Sequence, residues 1–160
     1  MRITATGSSN FAVWNYDKDG KKEQLLVNTI GAYRGVVLLD LGDDARTTRL
    51  EVLSEGTWQF EIRPVKNSTY LYDTYTYEGR GDDVIMLLMK NLDLLKIQAP
   101  GSTSNFAVMA YSLDNNNRWD RSLLVNKIGA YSGTSVLPKG DPALLVIKAV
   151  GPWQFTVTTK

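Results

Sequence analysis

Leu25-Leu26-Val27-Asn28, followed by Ile30-Gly31-Ala32-Tyr33-Arg34-Gly35, returns later as Leu123-Leu124-Val125-Asn126, followed by Ile128-Gly129-Ala130-Tyr131-Ser132-Gly133. The match extends to both sides of this stretch. Ser9-Asn10-Phe11-Ala12-Val13 recurs as Ser104-Asn105-Phe106-Ala107-Val108, and Gly56, Trp58, Gln59 and Phe60 recur as Gly151, Trp153, Gln154 and Phe155. Motifs matched in one order point to an internal duplication. The spacing changes only between Asp114 and Leu123 and again before Leu145, as loops tolerate.

The residues between the motifs alternate as strands do. Phe11 and Val13 fall on one face, with Asn10, Ala12 and Trp14 on the other. Asp17-Lys18-Asp19-Gly20 reads as a hairpin turn. Glu23 to Asn28 then makes the return strand, and Gly31 and Gly35 bracket Tyr33 in a loop that calls for positive φ. Further strands are expected over Val36 to Leu41, Arg49 to Leu53 and Thr57 to Arg63. A strand from Ser68 to Tyr77 would place Tyr70 and Tyr72 opposite Leu71, Tyr75 and Tyr77, and Asp83 to Leu95 reads as strand and turn. Short strands separated by Gly, Asn and Asp turns indicate an all-β fold. We expect antiparallel, jelly-roll-like β-sandwiches in two tandem copies, residues 1–66 and 67–160. A single sandwich with a shared core is the alternative, because about 65 residues is near the lower limit for an independent core. Tyr77-Glu78-Gly79-Arg80-Gly81-Asp82-Asp83-Val84-Ile85 precedes the second Ser-Asn-Phe motif, whereas only eight residues precede the first. The first copy therefore lacks opening strands, or the chain begins inside a repeat. A missing strand leaves an open sheet edge through which two copies would pair as a homodimer.

Composition removes several kinds of function. Histidine and cysteine are both absent, which excludes the usual titrating base, thiol nucleophiles, disulfides and the commonest zinc ligands. With 18 Lys and Arg against 17 Asp and Glu, scattered along the chain, no basic track for nucleic acid is expected. The longest apolar run, Val84 to Met89, is too short to insert in a membrane, and residues 1–7 lack the core of a secretion signal. The absence of cysteine suits a reducing, cytoplasmic compartment without excluding export.

Trp58 and Trp153 share their strand faces with Phe60 and Phe155, so both indoles are expected in the core, each ring nitrogen bonded to a loop carbonyl. Asn10, Asn28, Asn105 and Asn126 are read as bonding backbone in adjoining loops. Trp14 and Trp119 suit a ligand surface better: Trp14 is opposite in parity to Phe11, and Trp119 lies in a loop without counterpart. Tyr33 and Tyr131 read either as corner tyrosines or as part of a recognition edge, and with Trp14 and Trp119 they form the candidate ligand set. Asp17 and Asp19, and Asp114 and Asp120, are weak calcium candidates; Asn116 and Asp82-Asp83 offer further oxygen ligands. Asn28 stands where a calcium loop opened by Asp17 would need glutamate. No catalytic constellation emerges, and no cofactor is expected.

Gly-Arg-Gly-Asp-Asp-Val-Ile (79–85), Ser-Asn-Phe-Ala-Val (104–108), Leu-Leu-Val-Asn-Lys-Ile-Gly-Ala-Tyr-Ser-Gly (123–133) and Gly-Pro-Trp-Gln-Phe-Thr-Val (151–157) together resemble a family of small bacterial all-β domains. That family is seen in actinobacterial and cyanobacterial proteins, sometimes in tandem. The resemblance implies a β-sandwich accessory domain and no reaction. The expected function is a non-enzymatic module binding a protein or carbohydrate partner. The alternatives are a carbohydrate-binding domain with structural calcium, in which the tyrosines of 70–77 join the stacking surface, and a purely structural, oligomerising role.

Overall fold

The computed structural model describes every residue except 42–45, 72–75, 88–93, 115, 117, 140–142 and 159–160. The chain divides into two compact units, Met1–Arg63 and Pro64–Lys160, three residues from the expected division. Both are all-β. Among the described residues no helix is long and apolar enough to cross a membrane.

Unit 1 holds β1 (Arg2–Ala5), β2 (Asn10–Tyr16), β3 (Lys22–Ile30), β4 (Tyr33–Val36), β5 (Arg49–Leu53) and β6 (Trp58–Glu61). They form two three-stranded antiparallel sheets, ordered β4-β1-β6 and β3-β2-β5. Alternation turns Ile3 and Ala5 of the first sheet toward Phe11, Val13, Leu26 and Val27 of the second, and these make the unit's core.

Unit 2 adds strands to the same plan. After a short 3-10 turn at Val65–Asn67 come β7 (Thr69–Leu71), β8 (Thr76–Arg80), β9 (Asp83–Leu87), β10 (Leu94–Ala99), β11 (Asn105–Leu113), β12 (Trp119–Ile128), β13 (Tyr131–Val136), β14 (Ala143–Lys148) and β15 (Pro152–Thr158). Its sheets run β13-β10-β15-β8 and β12-β11-β14-β9-β7. All pairs are antiparallel except β7 with β9, which is parallel. The core gathers Ile97, Phe106, Val108, Leu145, Ile147, Trp153 and Phe155. Each core cluster draws its residues from one unit only.

The strand orders of unit 1 recur inside those of unit 2, and among the described residues β6 and β5 lack the further neighbour that β15 and β14 have. The effect on the twin indoles is large. Trp58 and Trp153 each stack on the phenylalanine two residues on, with ring centroids 4.7 Å apart in both cases. Trp153 is 2 % exposed and its Nε1 donates to the Gly81 carbonyl at 2.8 Å, as expected. Trp58 is 49 % exposed, which overturns the expectation that it is core. Its parity was read correctly, since Trp58 pairs with buried Ala5. Burial of an edge residue, however, depends on the next strand, and among the described residues β6 pairs with β1 alone.

Other expectations shift in detail. The strand expected over Val36 to Leu41 runs instead from Tyr33 to Val36. Its partner β1 begins at Arg2 opposite Val36, and beyond that pair the Val37 amide bonds the Met1 carbonyl while the Met1 amino group donates to the Val37 carbonyl. Positive φ occurs at Gly31 (87°) and Gly129 (89°) but not at Gly35, which pairs with Ile3 inside the sheet. The expected Ser68–Tyr77 strand is represented by β7 and the start of β8, with 72–75, including Tyr72 and Tyr75, outside the described residues.

β2–β3 and β11–β12 share a bulge at one equivalent place, and β2–β3 carries a second register shift between Asn15 and Tyr16. Val13 pairs with Val27 and Trp14 with Leu25, so the register steps over Leu26; Val108 pairs with Val125 and Met109 with Leu123, so it steps over Leu124. Leu26 packs inward beside Val27, so two neighbours in sequence enter one core.

Candidate functional site

The β2–β3 and β11–β12 hairpins are built alike from their turns upward. The Asp17 carboxylate accepts the amides of Asp19 and Lys21, both at 2.9 Å, and Gly20 completes the turn at φ 76°. Asp114 accepts the amides of Asn116 and Arg118, both at 2.8 Å, and the Arg118 guanidinium. These bonds, the amides of Lys21 and Arg118 foremost, hold both carboxyls below the ordinary aspartate pKa. Asp19 pairs with Lys18, and Asp120 accepts the Arg121 amide. Among the described residues no three Asp or Glu side chains gather into a metal-holding group.

From the turns, alternation carries one row of side chains to the face turned away from the core. In unit 1 the row pairs Asn10 with Ile30, Ala12 with Asn28 and, beyond the bulge, Trp14 with Leu25. In unit 2 it pairs Asn105 with Ile128, Ala107 with Asn126 and Met109 with Leu123. Ile30 and Ile128 are 81 % and 83 % exposed, and Leu25 and Leu123 42 % and 57 %. All four asparagines are exposed as well. The expectation that they serve adjoining loops gives way to a simpler closure, in which the Gly31 and Gly129 amides bond the Ser9 and Ser104 carbonyls at 2.9 and 3.0 Å.

Unit 1 ends this face in a ladder of cations and rings. The Lys22 ammonium lies 4.4 Å from the Trp14 ring centroid and 5.4 Å from that of Tyr16, whose other neighbour is the Arg49 guanidinium at 3.8 Å. The Tyr16 hydroxyl donates to Glu51 at 2.7 Å. That bond, with the charges of Lys22 and Arg49, holds the Glu51 carboxyl below its ordinary pKa, while contact with Tyr16 and then Glu51 raises Lys22.

Of the four residues expected to form a ligand surface, Trp14 and Trp119 both lie on the outward face of their own units. Trp119 alternates with Arg121 and Leu123 and pairs with Leu113. Tyr33 and Tyr131 do not join them. Their rings pack on Phe11 and Phe106, at 6.0 and 6.2 Å, at the margins of the two cores. The Tyr131 hydroxyl lies 2.4 Å from where a Cβ on Gly133 would stand, so a side chain at position 133 does not fit as packed. Sequence reasoning missed Leu25, Ile30, Leu123 and Ile128 as surface residues. The signal was the Leu-Leu-Val doublet, which breaks strict alternation, and an isoleucine directly before a turn glycine. A scan against protein-family models matches none, and a search of curated proteins finds no match.

Proposed function

We propose that this protein is a non-enzymatic interaction module, a duplicated β-sandwich that binds another macromolecule through the outward row shared by its two units. One observation carries the reading: large apolar side chains stand exposed at equivalent places, Leu25 and Ile30 in one unit and Leu123 and Ile128 in the other, beside paired exposed amides. Single exposed apolar residues are ordinary, but the same row presented twice is a contact surface with amides to set its register. Two such rows on one chain raise apparent affinity through effective concentration. Short displayed peptides selected on the intact protein should bind the Ile30→Lys, Ile128→Lys double variant at least about tenfold more weakly, a loss of about 1.4 kcal/mol. Binders indifferent to both substitutions would refute the reading. So would turnover of a glycoside, ester or phosphoester that depends on an Asp or Glu of this chain.

A second reading, a carbohydrate-binding module, is favoured by the half-exposed Trp58 ring stacked on Phe60. Titration with a panel of soluble polysaccharides tests it: tryptophan emission should change in the native chain and not in Trp58→Phe.

A further inference from the structure

We infer that the edges of β5 and β6, open among the described residues, form a docking site for a strand-turn-strand segment of the Gly-x-Gly-Asp-Asp pattern carried by another polypeptide. Unit 2 displays the complement in place. There β8 pairs with β15 so that Gly79 stands opposite Trp153 and Tyr77 opposite Phe155. A side chain at Gly79 is impossible as packed, because its Cβ would fall 2.2 Å from Trp153 Cζ2. The turn that follows brings the Gly81 carbonyl to the indole Nε1. Asp82 then accepts the Ala149 amide at 2.9 Å and the Lys148 ammonium at 3.1 Å, and β9 continues along β14 from Ile147 to Ala143.

Unit 1 offers the receiving half of this arrangement. In the sheet order β4-β1-β6, the side of β6 away from β1 is where β8 lies on β15; in β3-β2-β5, the side of β5 away from β2 is where β9 lies on β14. Among the described residues no strand pairs with the outer sides of β5 and β6, which leaves backbone donors and acceptors there for an incoming chain. Trp58 and Phe60 hold the same stacked pose as Trp153 and Phe155, so the receiving surface is preformed. By register, the incoming glycine sits opposite Trp58, an aromatic opposite Phe60, and the first aspartate reaches the backbone at Ser54. A second copy of this chain is a poor donor: its own β8 and β9 already pair with β15 and β14, and β8 covers its own Trp153.

The test uses the intact chain and a synthetic peptide copying residues 76–87, beside the same peptide carrying Gly79→Leu. The native peptide should protect the amides of residues 49–53 and 58–61 from hydrogen exchange. It should also shift tryptophan emission to the blue, a shift missing in the Trp58→Phe chain. The Gly79→Leu peptide should bind at least about tenfold more weakly. Equal binding of the two peptides, protection confined to β8 and β15, or no protection at all would each overturn the inference. It would also fall if the chain alone sedimented as a dimer with β5 and β6 already protected. None of these results bears on the outward row, whose test reads Ile30 and Ile128.

Discussion

Substituting Gly79 by alanine asks whether β8 is what buries Trp153. The new methyl would lie 2.2 Å from Cζ2 and 2.4 Å from Cη2 of the indole, far inside contact distance. The β8 backbone is held to β15 from Thr76 to Arg80, so the ring is the part that must move. Trp58 shows the end state, with the same stacking on phenylalanine at 49 % exposure instead of 2 %. A tryptophan buries roughly 200 Å², so exposing about half of it at about 25 cal/mol per Å² costs about 2.5 kcal/mol. Loss of the Nε1 bond to Gly81 adds about 1 kcal/mol, giving about 3–4 kcal/mol together. Urea denaturation followed by near-UV circular dichroism, with amide exchange on β8 and β15, measures this. Gly101→Ala is the control, because its Cβ would meet Pro152 at an ordinary 3.6 Å; it should cost less than about 1 kcal/mol. If Gly79→Ala costs no more than Gly101→Ala and leaves tryptophan emission unchanged, the account of indole burial is wrong.

Trp153→Ala should destabilise unit 2 by about 3–5 kcal/mol, whereas Trp58→Ala should cost unit 1 about 1–2 kcal/mol; equal losses in denaturant titrations would contradict the difference in exposure. Asp82→Ala should remove about 1–3 kcal/mol by stranding the Ala149 amide, while Lys148→Met, breaking a part-exposed ion pair, should remove less than about 1 kcal/mol. Asp17, Glu51 and Asp114 hold their carboxyls below ordinary values in the folded chain. Their contribution is therefore present above the ordinary carboxylate range and is lost as pH falls through the lower folded values. Melting temperature should decline gradually across that range, less steeply in Asp17→Asn, Asp114→Asn. Excess calcium against chelator should leave the melting temperature unchanged, since amides and cations already occupy those two carboxylates; a rise abolished by Asp17→Asn would make the turn a ligand site.

Much of the fold was readable because alternation is a local property. Arg49 to Leu53 was bounded correctly, the Asp17–Gly20 turn was identified, and the inward set Phe11, Val13, Phe106 and Val108 follows from period alone. Properties that depend on a distant partner were harder. The exposure of Trp58 is decided by a missing neighbour strand, and the length of β4 by where β1 begins. The candidate surface was half legible: parity placed Trp14 outward, but a bulge invisible to strict alternation turned Leu25 outward and Leu26 inward. Tyr33 and Tyr131 were ambiguous because a tyrosine beside glycine suits a core margin and a recognition edge equally, and only the Phe11 and Phe106 rings decide between them.

The extra leucine at the shared register shift of each hairpin works as a phase shifter. On the corner side of Leu26, even-numbered Asn28 and Ile30 look outward; on the turn side, odd-numbered Leu25 does so. One continuous strand thus carries an amide-and-aliphatic stretch and a charged aromatic stretch on a single side, without asking the interior to change its pattern. Removing that leucine would reverse every side chain from Lys22 to Leu25 while leaving the corner untouched, so the two halves of the hairpin can vary independently only as long as the extra residue is kept.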